Sequence, residues 1–470
     1  MSTSVHREDL AVRMTAPDPA PDRFLSRAQC VDLITRAAQL ARGGGETRAA
    51  IMSDWRGNIR WGRNEVVEAD DIRNTVVRVT REIRGAASTV TINMTDTADL
   101  DAAVRRAERF LTQSDETSVT LRHPVIDGGY PTPPIWSDAS FGFDAERRAT
   151  LLRTLLLPIV DAGMMSAGYI EVGGHGTAYV DSGNRCMYMP HTTAQCSITV
   201  RDPEGTGSGW AGVDHHDWST IDPVALVATA LRKCLTSRHP VAVEPGRYTT
   251  ILEPQAVCDL TSSLFGPMLE RLLAEQGNGP FAGRQRGLSK IGAPVASPQV
   301  TVTADPMDPA LGYVPFDPQS GERYRPAVWL DHGILRNLAY HTNYAVQLLK
   351  RNIGLPTNGA YHMQGGTTSL DEMVASTDRG ILVTRFSNLR LIEPNVPLLS
   401  GFTRDGLWLI EKGKISKPIK NFRFVESPLF VMSNIVQMGV PTRVFHPDAP
   451  VVVPPLKVND FNFVSLVDAV

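Results

Sequence analysis

Residues 214–217 read Asp-His-His-Asp and contain the side-chain types that most often bind metal ions. Imidazole nitrogens and carboxylate oxygens both ligate zinc. Adjacent residues of a regular helix or strand point in different directions, so four consecutive ligand types converge poorly on one ion. The run therefore predicts a solvated loop and not a metal site.

Two glycine-rich stretches, residues 173–176 and 205–209, raise the question of a phosphate-binding loop. Such loops connect a strand to a helix and space their glycines in a fixed pattern. Neither stretch has that spacing or that position. Both are predicted to be turns between β-strands.

Two further segments are candidates for contact with an extended peptide. His362 and Gln364 precede a Gly-Gly pair, where their side chains could face a cleft. Arg404 stands beside Asp405, and a loop arginine of this kind can position a peptide carboxylate or a partner subunit. A purely structural role is the competing interpretation for both segments.

Composition indicates an ordinary globular protein. The chain has 470 residues, of which 42% are hydrophobic and 21% charged, so it can bury a core and is predicted to form two or three domains. The formal net charge is -3 and no basic stripe stands out, so nucleic-acid binding is not predicted. No apolar stretch approaches the roughly 20 residues that span a bilayer, so no membrane association is predicted.

The cysteines and the N-terminal segment favour a cytoplasmic location. Five cysteines are scattered along the chain without a CxxC pair, which is typical of reduced thiols. Residues 1–22 carry charges and three prolines but no apolar run of the kind found in a signal peptide. They are predicted to be a disordered tail.

The first half of the chain alternates helical and strand patterns. Ser26 and Gln29 form a capping-box pattern before an amphipathic run, which predicts a first helix. A turn is predicted at residues 54–58. One hairpin is predicted from residues 49–53 and 59–61, and a second from residues 75–80 and 88–93. Two helices are predicted at residues 99–112 and 145–162. This order predicts an N-terminal α+β layer built on an antiparallel sheet.

A domain boundary is predicted at Glu244-Pro245-Gly246, after a helix that starts near Pro223. The predicted domains are residues 23–240, an α+β domain, and residues 241–470, a β-rich domain with a few helices. Those helices are expected near residues 255–275, 339–351 and 370–377. The fold class predicted for the chain is therefore α+β with two domains.

The most recognisable sequence motifs lie in residues 403–428. They are TRDGLWLIEKGKI at 403–415, PIKNFRF at 418–424 and ESP at 426–428. These motifs resemble those of the TldD/PmbA family of cytoplasmic metallopeptidases, and the resemblance extends over most of residues 25–460. Within it, Lys412-Gly413 predicts a tight hairpin turn. The resemblance implies a two-domain α+β protein that pairs with a homologue.

The resemblance also implies where a zinc site would stand. Family members with peptidase activity carry an HExxxH helix just after the first strand of the C-terminal domain, and its two histidines bind zinc. Here the corresponding strand, residues 248–252, is followed by Glu253 and Cys258, with no histidine between residues 239 and 332. Glu253, Cys258 and His446 remain as weak candidates for a rebuilt catalytic or metal site, although the first two lie roughly 140° apart on a regular helix. No metal or other cofactor is therefore expected in this chain.

By resemblance, the chain is expected to be a zinc-free, TldE-like subunit of a heteromeric metallopeptidase that processes unfolded or precursor peptides. Its partner would be a TldD-like HExxxH homologue that carries the zinc, and extended peptides would bind through main-chain hydrogen bonds. Two alternatives stay open. One is a stand-alone peptide-acting enzyme with a non-standard site, and the other is a homodimeric scaffold that binds peptides without cutting them.

Overall fold

The computed structural model describes residues 23–84, 86–94, 97–113, 130–183 and 186–467. They divide into two compact units. The smaller unit is drawn from Met1–Trp55, Ile72–Leu121 and Gly174–His191, and the larger from Arg56–Asp71, Arg122–Gly173 and Thr192–Val470. The tail predicted at residues 1–22 lies outside the described residues.

The helices and strands keep the α+β character predicted from the sequence. The α-helices are α1 (Arg27–Leu40), α2 (Thr97–Gln113), α3 (Asp138–Phe141), α4 (Ala145–Asp161), α5 (Pro223–Thr236), α6 (Pro254–Phe265), α7 (Arg271–Glu275), α8 (Thr342–Tyr344), α9 (Leu370–Ala375) and α10 (Pro428–Ser433). The strands are β1 (Glu46–Gly62), β2 (Glu65–Glu68), β3 (Asp71–Ile83), β4 (Ala86–Asn93), β5 (Met165–Asp181), β6 (Cys186–Arg201), β7 (Ser208–His215), β8 (Gly246–Leu252), β9 (Val302–Ala304), β10 (Ala327–Asp331), β11 (Ile334–Leu335), β12 (Tyr361–Met363), β13 (Arg379–Glu393), β14 (Leu398–Glu411), β15 (Lys414–Pro418), β16 (Asn421–Glu426), β17 (Ile435–Met438), β18 (Thr442–Arg443), β19 (Val451–Val453) and β20 (Leu456–Val467).

The smaller unit is a sheet with two helices packed on it. Its strands follow the order β4-β3-β1-β5-β6, and β1, β5 and β6 also contribute residues to the larger unit. Helix α1 begins at the predicted capping box, in which the Ser26 hydroxyl accepts from the Gln29 amide and the Gln29 side chain accepts from the Ser26 amide. Apolar residues of α1 and α2 then share one core with the strands. Amphipathic helices that bury one stripe on a sheet are the expected packing for this pattern.

In the larger unit, helix α5 packs closely on strand β7. A Cβ atom added at Gly209 would lie 2.0 Å from the carbonyl oxygen of Ala230 on α5, and one at Gly207 would lie 2.6 Å from that of Cys234. These two glycines therefore permit the close helix–strand approach. The glycine-rich stretch 205–209 forms the turn into β7, as predicted, whereas residues 173–176 lie inside β5 and form no turn.

Two more sheets of the larger unit hold its main core. One has the strand order β11-β10-β9-β12-β19-β18. The other runs β13-β8-β20-β16-β14, and an additional pairing between β13 and β14 closes these five strands into a ring. Helix α6 lies in the same apolar cluster as residues of both sheets.

Two further local predictions are wrong. Residues 54–58 form no turn, because β1 runs unbroken from Glu46 to Gly62 and the chain reverses at Arg63 and Asn64, which have positive φ angles. Gly57 is needed for close packing, since a Cβ there would lie 2.4 Å from the guanidinium of Arg148. The helix predicted over 255–275 breaks at Gly266 and continues as a short turn and α7.

Other local predictions are confirmed. Lys412 and Gly413 have φ angles of 52° and 74° and join β14 to β15 in a tight hairpin. Helix α9 begins at the Ser369–Glu372 capping box. The predicted boundary near residue 241 stays a prediction. In the part of the chain that the structure describes, no helix is both long and apolar enough to cross a membrane.

Candidate functional site

Helix α6 occupies the position at which the sequence comparison expects a metal-binding helix. It follows β8 directly, and Pro254 occupies the first turn, where a missing amide hydrogen costs nothing. Most of its side chains are buried, but four that are only partly buried share one face at spacings of four, three and one residues. This polar stripe consists of Gln255, Asp259, Ser262 and Ser263.

The first two residues of the polar stripe are bound by neighbouring main chain. The Gln255 amide donates to the carbonyl oxygen of Phe445 at 3.1 Å and to Asp259 Oδ1 at 2.9 Å, while its oxygen accepts from the Phe445 amide at 3.2 Å. Asp259 Oδ2 accepts from the amide of Phe386 on β13 at 2.8 Å. These bonds tie α6 to two other segments and use the polar atoms that would otherwise face a ligand.

The carboxyl group of Asp259 titrates unusually high for an aspartate. Burial raises its pKa to about 6, although the bonds from Phe386 and Gln255 and the charges of Arg385 and His446 act in the opposite direction. Desolvation of a carboxylate favours its neutral form. Asp259 therefore changes its charge near neutral pH.

Glu253, a candidate from the sequence, forms an ion pair. Its Oε2 atom lies 2.5 Å from Nζ of Lys233 on α5, and both side chains are largely buried. A carboxylate held in this way is compensated by its own cation. Glu253 thus links α5 to the start of α6.

Cys258, the second candidate, is fully buried in the core of the larger unit. Its sulfur contacts the Ser262 hydroxyl at 3.3 Å, and burial raises the pKa of the thiol well above its usual range. Only the thiolate ligates metals or acts as a nucleophile. Cys258 is therefore an inert packing residue at neutral pH.

His446, the third candidate, lies in a turn beside β7. Its ring Nδ1 contacts the carbonyl oxygen and amide of Ala449 at 3.0 and 3.2 Å. Its main-chain amide donates to Asp214, which also forms an ion pair with Arg443 at 2.7 Å. The solvated loop predicted at residues 214–217 is therefore wrong, because Asp214 and His215 are the last residues of β7 and all four residues are only partly exposed.

The neighbouring histidines of that run are paired with each other. His215 and His216 stack with ring centroids 4.3 Å apart, and burial with the adjacent charges lowers the pKa of His215 to about 4. His215 Nδ1 accepts from the Asp217 amide at 3.0 Å. His215 is therefore a neutral acceptor at pH 7.

The donor set around α6 does not fit the zinc of a metallopeptidase. Such a site needs three protein ligands that converge on one ion with an open fourth position. Glu253, Cys258 and His446 each have separate partners, and in the described ranges no three His, Cys, Asp or Glu side chains are grouped closely enough to hold a metal ion. The polar stripe of α6 offers an amide, one carboxylate and two hydroxyls.

Of the peptide candidates, His362 lies on β12, a central strand of its sheet, and Gln364 directly follows that strand. Strand β12 is hydrogen-bonded to β9 on one side and to β19 on the other, and the Gln364 amide donates to Thr301. His362 Nδ1 lies 2.8 Å from Asp308 Oδ2. Because the main chain here is already paired, a peptide could contact this segment only through side chains.

Arg404 and Asp405, the other peptide candidates, lie in a strand and not in a loop. Arg404 pairs with Arg385 across β14 and β13, and Val383 pairs with Leu407, so two residues of β14 oppose one of β13. The extra residues bulge, and Asp405 takes a φ of 58° and Gly406 a φ of 118°. Bulges and strained left-handed residues of this type concentrate at functional sites.

The carboxylate of Asp405 holds the bulge in place. It is only 2% exposed, and Oδ1 accepts from the Ser208 hydroxyl at 2.6 Å. Oδ2 lies 3.6 Å from Arg385 and 3.8 Å from Arg404. The guanidinium of Arg385 also covers the ring of Trp210 at 4.6 Å.

A cavity of about 340 Å³ opens beside this bulge. Its walls come from the turn before β7, the segment after α5, the β14 bulge, the segment between β15 and β16, and the end of β20. Its volume falls in the range of small-ligand sites, roughly 300–1,000 Å³. Its lining includes Ser237, His239, Asp405, Leu407, Lys420 and Val467.

Sequence reasoning missed Ser208, Trp210 and Arg385, which complete the surroundings of Asp405. They come from strands that are distant along the chain, and their types carry no motif. The Asp-Gly pair at 405–406 is a signal for positive φ angles. Within an alternating strand pattern, that signal indicates a bulge.

The C-terminal half matches a known metallopeptidase domain. Residues 245–465 match the family described as the PmbA/TldA metallopeptidase C-terminal domain. Over 237 residues the chain is 26% identical to a Haemophilus influenzae protein named "Metalloprotease TldD homolog". That match covers 46% of this chain and 45% of the relative, so it spans less than half of the relative's length.

Solved structures share the fold along nearly the whole chain. A candidate modulator of DNA gyrase from Bacteroides thetaiotaomicron superposes with a TM-score of 0.78 at 17% identity, covering 92% of this chain and 98% of that one. TldE from Thermococcus kodakarensis superposes with a TM-score of 0.75 at 16% identity, covering 92% and 99%. The larger unit thus contains a domain of the PmbA/TldA metallopeptidase type. The chain thus resembles the TldD/PmbA family in its fold and in the sequence of residues 245–465.

Proposed function

We propose that this chain is the zinc-free, TldE-like subunit of a TldD/TldE-type heteromeric metallopeptidase, and that it holds unfolded peptides that a partner cuts. Zinc, bound in a metallopeptidase, activates a water molecule for attack on the peptide bond. In this proposal that chemistry belongs to a homologue with an HExxxH helix. This chain contributes to the walls of the peptide site.

The observation that carries the proposal is the polar stripe of α6. It bears no imidazole, and its Gln255 and Asp259 are bound to the main chain of Phe445 and Phe386. Throughout the sequence, moreover, no histidine is followed by glutamate, so an HExxxH motif is absent. A chain of this family without that motif needs a second subunit for zinc-dependent cleavage.

A stand-alone enzyme built on Glu253, Cys258 and His446 is less well supported. Glu253 is compensated by Lys233, and the thiol of Cys258 is buried and protonated at neutral pH. His446 Nδ1 is held by Ala449. None of the three is free to converge with the others.

The test mixes the purified chain with an HExxxH-bearing family member and follows cleavage of an unstructured fluorogenic peptide. We expect no cleavage by this chain alone and cleavage by the mixture. The control is the same mixture with the HExxxH glutamate of the homologue replaced by glutamine. Cleavage by this chain alone, at a rate that survives metal chelation, would contradict the proposal.

A further inference from the structure

Strand β4 forms one edge of the sheet in the smaller unit. It pairs with β3 on one side, and no strand lies beyond it in the order β4-β3-β1-β5-β6. Within the described ranges, no residue donates to or accepts from the main chain of β4 on its outer side. This edge therefore carries main-chain donors and acceptors that an added strand could use.

The hydrogen-bond pattern between β3 and β4 identifies the residues whose main chain faces the outer edge. The Met94 amide donates to the carbonyl oxygen of Thr75 at 2.8 Å, and the register continues along both strands without a shift. Hydrogen-bonded and non-hydrogen-bonded pairs alternate in an antiparallel ladder. Thr80 and Thr89 are then a non-hydrogen-bonded pair, which agrees with the 2.9 Å between their hydroxyl oxygens. The main-chain amides and carbonyls that point away from β3 are those of Ala87, Thr89, Thr91 and Asn93.

The other sheet edges of the described chain are protected against an added strand. Strands β11 and β18 have only two residues each, and helix α5 packs on β7. Strand β15 carries Lys414 and Lys417 and ends at Pro418. Short length, lysine, proline and a covering helix are the usual means of blocking an edge. Strand β4 has eight residues, none of them charged or proline, so its sequence leaves this edge open.

Helix α2 restricts the kind of strand that can join this edge. It packs on β4 with Cα atoms of the two elements within 8 Å of each other, and Ala103 and Ala107 of α2 lie in the core between them. A second copy that paired through its own β4 would bring its own α2 onto the same face. Neighbouring strands lie about 4.8 Å apart, whereas packed helices need about 8–10 Å between their axes. The two helices would overlap, so the edge suits a strand that carries no helix.

From this geometry we infer that the outer edge of β4 binds an extended, unfolded peptide segment as an added strand. Main-chain hydrogen bonds supply affinity in such complexes with little dependence on sequence. The exposed side chains of Thr89, Thr91 and Asn93 carry no charge, which favours uncharged segments. The inference rests on the proposed function, because it names the part of this subunit that holds the peptide.

The first test measures peptide binding to the isolated full-length chain by fluorescence polarisation. The probe is a labelled peptide of alternating threonine and valine with a lysine at each end for solubility. Its twin has the same side chains but is N-methylated at every central residue, so it cannot donate main-chain hydrogen bonds. We expect the unmethylated peptide to bind about tenfold more tightly or better, because several hydrogen bonds, each worth about fivefold in affinity, are lost together.

A proline variant locates the binding on β4. Thr91→Pro removes an amide that points away from β3, so it blocks the edge without breaking a bond of the ladder. The affinity for the unmethylated peptide should fall by about fivefold or more, as expected for one lost hydrogen bond. Thr91→Val keeps the amide and the branched side chain, and as the matched control it should bind like the wild type.

Hydrogen exchange of the unmodified chain is a second readout, and it decides the outcome if Thr91→Pro lowers the midpoint of thermal unfolding. Binding of the peptide should slow exchange at the amides of Thr89, Thr91 and Asn93, which face the outer edge. The amides of the protected edge strand β15 should exchange at an unchanged rate. Mass spectrometry of peptic fragments compares the two strands.

Equal affinity for the two peptides, a folded Thr91→Pro protein that binds like Thr91→Val, or unchanged exchange in β4 would each overturn the inference. A dimer of the chain that Thr91→Pro dissociates would assign the edge to a second copy and would overturn it as well. None of these results decides the proposed function, because binding is measured without the homologue. Cleavage by the mixture with the HExxxH homologue decides that function separately.

Discussion

Individual side chains of α6 determine what this helix can do. The spacing of Gln255, Asp259, Ser262 and Ser263 produces a polar face on an otherwise buried helix. In a zinc peptidase the equivalent helix projects imidazoles. Here the first two positions instead bond to main-chain groups of other segments, so the helix is a structural connector.

Asp259 predicts a pH effect on stability. Its pKa is raised from 3.8 to about 6 in the folded chain, so its protonation favours the fold. This contribution is fully present below about pH 4 and is lost as the pH rises through about 6. Relative to wild type, Asp259→Asn should therefore show a flatter stability profile between pH 4 and pH 6. Urea unfolding at several pH values in this range measures the free energy of unfolding of both proteins. Parallel profiles for the variant and the wild type would contradict the raised pKa of Asp259.

The Lys233–Glu253 pair predicts that removing one charge destabilises the fold more than removing both, because both charges are largely buried. Lys233→Met leaves the Glu253 charge without a partner and should lower the free energy of unfolding by about 3 kcal/mol or more. The double variant Lys233→Met/Glu253→Gln should recover much of that loss. Arg336→Met breaks the exposed pair with Asp331 and is the control, with an expected loss much smaller than that of Lys233→Met. Denaturant unfolding of the four proteins is the measurement, and equal losses in the single and double variants would argue against a buried pair.

Among the elements, the contact between α5 and β7 places Lys233 near Glu253 and Ser208 near Asp405. It depends on Gly209, because any Cβ there would overlap the Ala230 carbonyl. Gly209→Ala should lower the free energy of unfolding by about 1–3 kcal/mol or more through overpacking. At Gly62 an added Cβ would meet only Val67 at 3.6 Å, so Gly62→Ala is a matched control expected to have little effect. Chemical denaturation compares them, and a Gly209→Ala protein as stable as Gly62→Ala would show that α5 packs elsewhere.

The elements also show which parts of the fold are readable from sequence. The capping boxes at Ser26 and Ser369 and the hairpin turn at Lys412-Gly413 are local, so residue types a few positions apart suffice to predict them. The turn predicted at residues 54–58 is absent, and strand β1 continues through Gly57. The side chain that restricts the space at Gly57 belongs to Arg148, which lies 91 positions away in the chain. The sequence around Gly57 therefore gives no sign of this contact.

The same limit applies to the candidate site. The absence of an HExxxH helix is visible in one line of sequence, and so is the Asp405-Gly406 pair. The cavity is not, because its walls come from five separate segments. The ring of five strands is equally hidden, since periodicity identifies the buried face of β8 but not its partners β13 and β20.

At the scale of the whole molecule, the chain combines a fold like that of TldE with a described part in which no three metal-ligand side chains are grouped closely enough to hold an ion. Its α+β fold and the match of residues 245–465 are the features that it shares with the TldD/PmbA family. Its proposed contribution to catalysis is indirect. Peptide cleavage should therefore require both chains of the pair, and only one of the two chains should bind zinc.

The most direct test is the zinc content of the isolated chain. The chain is purified alone and together with an HExxxH-bearing homologue, dialysed against trace zinc, and analysed for zinc by elemental analysis. The account predicts substoichiometric zinc in the chain alone and one zinc per heteromeric pair. One tightly bound zinc per isolated chain would contradict it.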